Sequence, residues 1–204
     1  MLLRVNRILE KTEVAGPGYR FTVWVQGCGR KCAGCMASET WSPVGGSLLS
    51  TDDIIQKVLA THGIDGITFL GGEPFEQAEA LFLIGKELRR HGFSVVTFTG
   101  YLLEELLRSE NAGFNNLLSV TDLLIDGDFQ ENKKSLIRPW VGSSNQRYIF
   151  LTDRFSENDI NQVRNKLEVR IFPDGRAVVT GMGDFHQIIK GASKNYSFQR
   201  CPYL

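Results

Sequence analysis

Cys28, Cys32 and Cys35 fall together in the stretch Gln26-Gly27-Cys28-Gly29-Arg30-Lys31-Cys32-Ala33-Gly34-Cys35. The C-x3-C-x2-C spacing brings three thiolates to one site and leaves that site a ligand short. An iron-sulfur cube held by four cysteines is coordinatively complete, whereas three leave one iron open to bind and activate another molecule. Zinc is the competing reading, with Cys201, His62, His91 or His186 as a fourth ligand, although structural zinc sites usually come as paired knuckles and the sequence has no second pair. A thioredoxin-like pair of Cys32 and Cys35 accounts for less, because Cys28 then has no part in dithiol exchange. The chain holds four cysteines in all. Three bunched in one loop are no secreted disulfide framework, and metal binding in a reducing compartment fits them better.

The elements that must position this loop follow from the apolar pattern. Arg20 to Val25 is rich in β-branched and aromatic residues and reads as a strand ending at the cysteines. Ser50-Thr51-Asp52-Asp53 is a helix start, with Ile54, Ile55, Val58 and Leu59 on one face and Gly63 as its stop. Ile64 to Leu70 reads as a buried strand running into Gly71-Gly72-Glu73-Pro74. A helix from about Glu76 to Arg90, a strand at Phe93 to Phe98, a helix at Leu102 to Arg108 and a strand at Val120 to Ile125 follow. Strands alternating with helices predict an α/β fold with a mainly parallel sheet, and right-handed crossovers put every strand-to-helix loop on one edge. A full eight-unit barrel needs about 250 residues, so the expectation is a partial, open parallel β/α barrel of four to six units. After residue 150 the pattern changes, and Glu168 to Phe172 and Arg176 to Thr180 flank a Pro173-Asp174-Gly175 hairpin signal. The reading is one domain over 1–204, with a core of about 14–150 and a C-terminal β-hairpin extension over 151–204.

Composition narrows the function. The 204 residues carry 23 basic and 23 acidic side chains, so no cationic excess announces a nucleic-acid surface. No stretch approaches a membrane span, and charge interrupts the N-terminus too early for a signal peptide, which predicts a cytoplasmic protein with no membrane partner. Gly71-Gly72-Glu73-Pro74 offers backbone that a ligand can approach, followed by a carboxylate, a pairing suited to an ammonium group. Taken alone, it reads equally as a tight turn.

Taken with Cys28, Cys32 and Cys35, that tetrapeptide resembles the radical S-adenosylmethionine (SAM) enzymes. Gly16-Pro17-Gly18-Tyr19-Arg20, Glu39-Thr40-Trp41, Thr99-Gly100-Tyr101, Asp122 to Asp126-Gly127 and Gly142 to Arg147 are similar to the small glycyl-radical activating enzymes, above all the activators of anaerobic ribonucleotide reductase, with their four-iron four-sulfur single cluster domain. Ala15 stands where members often carry aspartate, and Gly34 and Met36 flank the third cysteine where an aromatic residue is common. The resemblance implies a [4Fe-4S] cluster on Cys28, Cys32 and Cys35 and SAM chelated at its open iron. One electron passed into the sulfonium then yields methionine and a 5'-deoxyadenosyl radical that takes a hydrogen atom from a glycine of a larger protein. It further implies that Gly71, Gly72, Glu73 and Pro74 hold the methionine ammonium and that the Gly34 and Met36 backbone lies near adenine. Thr99 and Asp126 would lie near ribose or carboxylate, and Ser143 and Asn145 in a polar loop lining the pocket. Asp126 reads equally as a turn cap before Gly127, and residues 143–146 as a solvated turn. Arg30 and Lys31 read first as a solvated loop tip, and second as residues that meet an electron donor such as flavodoxin or ferredoxin. Trp24 and Trp41 read as packing around the cluster loop, and Cys201 as an incidental thiol. Two alternatives stay open: a stand-alone radical SAM enzyme modifying a peptide, protein or small molecule, and a non-catalytic iron-sulfur or zinc protein.

Overall fold

Apolar strands separated by amphipathic helices condense into a sheet with its longer helices stacked on one face. The computed structural model describes residues 1–174, 176–183 and 197–200. Strand β1 (Leu2–Thr12) pairs antiparallel with β2 (Arg20–Val25) on one side and with β3 (Ser47–Ser50) on the other. From β2 the sheet continues in parallel through β4 (Gly66–Gly71), β5 (Ser94–Phe98) and β6 (Leu123–Asp126), and β7 (Arg147–Phe150) closes it antiparallel to β6. The strand order is β3-β1-β2-β4-β5-β6-β7. The fold is therefore mixed α/β with a parallel-rich central sheet.

Side-chain alternation assigns each strand two buried faces. Phe21, Val23, Val25, Ile67, Phe69, Val95 and Leu124 point toward the helices, where they meet Ile54, Val58, Leu81, Ile84, Leu88 and Leu117. Trp24, Leu70, Val96, Phe98, Leu123 and Ile125 point the other way and pack with Trp140, Val141 and Ile160. Burial on both faces is why these strands read as continuous apolar runs rather than as alternating ones.

The helices begin where local chemistry satisfies their free amides. Helix α1 (Thr51–Ala60) starts at Ser50, whose hydroxyl accepts from the Asp52 and Asp53 N–H groups at 3.1 and 3.2 Å. Helix α2 (Ala78–Arg90) starts two residues later than expected, because Pro74–Gln77 forms a separate 3-10 turn capped by Glu73. After α3 (Leu103–Arg108) comes α4 (Ala112–Val120), which the sequence reading did not anticipate; its N-terminus is capped by Asn111, which accepts from Gly113 N–H at 2.9 Å. The expected strand from Val120 accordingly begins only at Leu123. Helix α5 (Glu157–Asn161) precedes the expected hairpin, β8 (Leu167–Ile171) against β9 (Arg176–Gly181). Strand β10 (Ser197–Arg200) adds parallel to β9. Among the described residues no helix is long and apolar enough to cross a membrane.

The strands are tied together at their N-terminal ends by one cation. Arg20 is fully buried, and its guanidinium donates to Thr68 Oγ1 (3.1 Å), Ser94 Oγ (2.6 Å), the Ile67 carbonyl (2.5 Å) and the Ser94 carbonyl (2.9 Å). Every one of these acceptors is neutral, so hydrogen bonding rather than ion pairing compensates its desolvation. Arg20→Met leaves two carbonyls and two hydroxyls in the core without their donor, and is expected to cost about 3 kcal/mol, read as a lowered urea midpoint. A midpoint equal to that of wild type would show that Arg20 does not hold β2, β4 and β5 together.

Candidate metal and cofactor site

The four parallel strands deliver their following loops to the opposite edge of the sheet. The cysteine loop leaves β2, Gly71-Gly72-Glu73 ends β4, Thr99-Gly100 follows β5 and Gly127 follows β6. These loops meet around a cavity of about 110 Å³ into which Cys28, Cys32 and Cys35 all face, together with Gly71, Gly72 and Glu73. A larger, open cavity of about 930 Å³ adjoins it, and the two share Arg30, Cys32 and Phe129 as walls.

The cysteine loop is held from both sides. Gly27 N–H donates to the Thr40 carbonyl at 2.7 Å and Cys28 N–H to the Trp41 carbonyl at 3.2 Å, while the Gln26 amide reaches the Glu39 and Ser42 carbonyls at 3.1 and 2.6 Å. Glu76 accepts from Gly29 N–H at 2.6 Å, and the Arg30 guanidinium lies 4.7 Å over the Tyr101 ring. The three thiols are half-buried and free. Burial pushes the Cys28 and Cys32 thiols up, while the backbone N–H groups of Lys31 and Arg30 at Cys28, and of Phe129 at Cys32, pull the other way. Among the described residues no group of three His, Cys, Asp or Glu side chains gathers as around a single ion; the thiols share a cavity wall instead.

The glycines of the second loop are required by contact. Gly71 has φ 103°, and a Cβ there would stand 2.8 Å from Trp24 Cα; at Gly72 it would stand 2.1 Å from the Gly27 carbonyl oxygen. Gly72 N–H donates to the Val25 carbonyl and Glu73 N–H to the Gly27 carbonyl, each at 2.8 Å. Glu73 is buried and binds the third loop: Oε1 accepts from Phe75 N–H (3.0 Å) and the Thr99 hydroxyl (2.8 Å), and Oε2 from Gly100 N–H (2.8 Å).

The remaining candidate residues are more scattered. Thr99 is on the cavity wall, and Pro74 is buried at the head of the 3-10 turn. The Asp126 carboxylate is engaged by Arg147, at 2.9 and 2.5 Å, and by Leu103 N–H at 2.8 Å. Arg147 also reaches Glu104, which pulls that exposed carboxyl down to about 2. Ser143 is buried and accepts from Gln130 N–H at 3.2 Å. Asn145 donates to the Asp128 carbonyl at 2.8 Å, leaving its Oδ1 buried without a donor. Gly34 has φ 73° and faces the Glu131 carboxylate, and the Met36 side chain is exposed. Cavity walls that sequence reasoning did not single out are Leu70, Phe98, Phe129 and Ala37, while Gln146, of the polar loop 143–146, is on the wall. Strands β4 and β5 are buried on both faces, so no alternation of polarity marked the first two. His62 and His91 are not on this wall, and His186 and Cys201 lie outside the described residues.

Comparison with known proteins bears directly on this arrangement. The family described as 4Fe-4S single cluster domain matches residues 14–149, which hold the sheet from β2 to β6 and all three thiols. The chain belongs to that family. It is 31% identical over 165 residues to the anaerobic ribonucleoside-triphosphate reductase-activating protein of Enterobacteria phage T4, covering 77% of this chain and 100% of the relative. The protein of the same name from Escherichia coli (strain K12) is 32% identical over 141 residues, 65% of this chain and 89% of the relative. The pyruvate formate-lyase-activating enzyme of Clostridium pasteurianum is 30% identical over 128 residues, covering 60% and 50%.

In this single cluster domain, burial lifts the Glu73 carboxyl to about 7 against the pull of its three hydrogen-bond donors. The folded-state value lies above the unfolded one. The proton bound by Glu73 therefore contributes stability that is full below about pH 4.3 and is lost as pH rises through 7, at about 1.4 kcal/mol per unit. Glu73→Gln should abolish that slope in denaturation midpoints measured from pH 4.5 to 8. Parallel pH profiles for the two proteins would show that Glu73 titrates normally.

Proposed function

We propose that this chain is a radical SAM enzyme that activates a glycyl-radical protein, most directly an anaerobic ribonucleotide reductase. The observation that carries the reading is the cavity in which three thiols face the side-chain-free backbone of Gly71 and Gly72. The similarity to activating proteins of two kinds supports it.

The residues present fit both groups. Cys28, Cys32 and Cys35 would supply three thiolates to a [4Fe-4S] cluster and would leave its fourth iron without a ligand from this cysteine loop. The backbone between Gly71 and Glu73 takes the methionine ammonium, for which closely approachable carbonyls are the right acceptors. Thr99, fixed by Glu73, stands beside it, and the backbone of Gly34 and Met36 borders the adenine. Asp126 and Ser143 act at one remove, Asp126 by fixing Arg147 and the start of α3, Ser143 by fixing the segment at Gln130. Asn145 likewise acts at one remove, its side-chain amide donating to the Asp128 carbonyl. Bound together, cluster and SAM supply one-electron cleavage of the sulfonium, giving methionine and a 5'-deoxyadenosyl radical. The protein's part is to exclude water and quenchers, and the apolar floor of Trp24, Leu70 and Phe98 serves that end.

The sheet then corresponds to an open β/α barrel of the radical SAM type, with residues 151–204 as an appendage to a single domain. Arg30 and Lys31, at the tip of the cysteine loop, suit an acidic donor such as flavodoxin or ferredoxin in the cytoplasm. Neither nucleic acid nor membrane has a part in this scheme. A second reading, a stand-alone enzyme acting on a peptide, is favoured by the β8-β9-β10 sheet, which lies beyond the matched residues.

Anaerobically reconstituted protein treated with dithionite and SAM should release 5'-deoxyadenosine. Substituting Ser for any one of Cys28, Cys32 or Cys35 should lower that release more than about a hundredfold, together with bound iron. Mixing wild type with an anaerobic ribonucleotide reductase should raise a glycyl radical signal by electron paramagnetic resonance. A loaded cluster that cleaves no SAM would overturn both enzymatic readings; cleavage with no glycyl radical but a modified peptide would favour the second.

A further inference from the structure

Trp24 is 1% exposed, and its indole Nε1–H has no acceptor within the protein. Native structures rarely leave a buried donor in that state, because its lost hydration goes unreplaced. The residue stands in the wall of the cavity that receives Cys28, Cys32 and Cys35, level with Leu70 of β4 in the parallel register. The Arg7 guanidinium lies 4.2 Å over its ring, and the backbone of Gly71 is packed so close to Trp24 that a Cβ there would come within 2.8 Å of Trp24 Cα and Cβ. A donor on a cavity wall is best satisfied by whatever fills the cavity.

We propose that Trp24 is a cofactor-binding residue, its Nε1–H donating to an acceptor nitrogen or oxygen of the adenosine portion of SAM. This rests on the SAM reading above and assigns the side chain a task beyond packing. The chemistry matches a nucleoside: a flat, largely apolar group with ring and ribose acceptors can lie against Leu70 and Phe98 while meeting a single well-placed donor. Cluster sulfides are acceptors too, and the absorption spectrum of the cluster separates that case from this one. The apolar layer that contains Trp24 has no other donor with this need on the cavity wall.

Trp41 provides the internal control. Its Nε1–H also lacks an acceptor, yet its side chain is not part of the cavity wall. SAM binding is measured by anaerobic equilibrium dialysis of the reconstituted full-length protein without reductant, so that no cleavage intervenes. Trp24→Phe keeps an aromatic face for Arg7 and removes only the donor and part of the ring. It should weaken binding about three- to tenfold, with bound iron and the cluster absorption spectrum unchanged, and Trp41→Phe should bind as wild type does. Equal affinity in Trp24→Phe and wild type would overturn the assignment. So would a changed cluster spectrum at unchanged affinity, which would give the donor to the cluster. Wild type that holds its cluster yet binds no SAM would take down the enzymatic reading itself. Should Trp24→Phe fail to hold its cluster, hydrogen exchange at the Trp24 indole of wild type decides: about tenfold slower exchange on adding SAM supports the hydrogen bond, and an unchanged rate overturns it.

Discussion

Between Gly72 and the carbonyl of Gly27 there is no room for a methyl group, and on that close approach the cavity depends. Two loops leaving adjacent parallel strands touch backbone to backbone, stitched by the Gly72 and Glu73 amides. The contact places the thiols and the polar backbone of the second loop on one cavity. It also explains why the strands must be parallel here: only then do consecutive strand ends, and the loops leaving them, fall on the same edge. A side chain at Gly72 would separate the loops and with them the two halves of the site.

Glu73 extends the arrangement to a third loop at an electrostatic cost. Its carboxyl is taken wholly out of water and compensated by three neutral donors from two segments. Arg20 resolves the same difficulty at the other end of the sheet with the sign reversed, a cation among neutral acceptors. Both are buried charged groups satisfied by hydrogen bonding, and each fixes the relative position of strands that side-chain packing alone would leave free to slide.

Much of this was legible in the sequence because it follows from local rules. The alternation of apolar strands and amphipathic helices located the parallel strands, and Ser50 with its two aspartates marked the start of α1 correctly. The cysteine spacing and the Gly-Gly-Glu loop were visible as chemistry before they were visible as neighbours. Helix α4 was missed because its cap, Asn111, sits in a polar stretch that reads as a loop, and because Val120 suits a strand as well as the end of a helix. Leu70 and Phe98 were passed over as ordinary core, since a strand buried on both faces does not reveal which of its residues face a cavity. The engagement of Asp126 with Arg147 spans 21 residues and has no local signature. Such long-range pairings are where reading by pattern stops.

The buried Arg20 has one further consequence. It fastens β2, β4 and β5 at the ends remote from every loop that shapes the cavity, so the cohesion of the sheet and the composition of its rim are governed by different residues. A lineage with this division can exchange the residues around its chemistry, and so the molecules it acts on, while the fastening beneath is inherited unchanged.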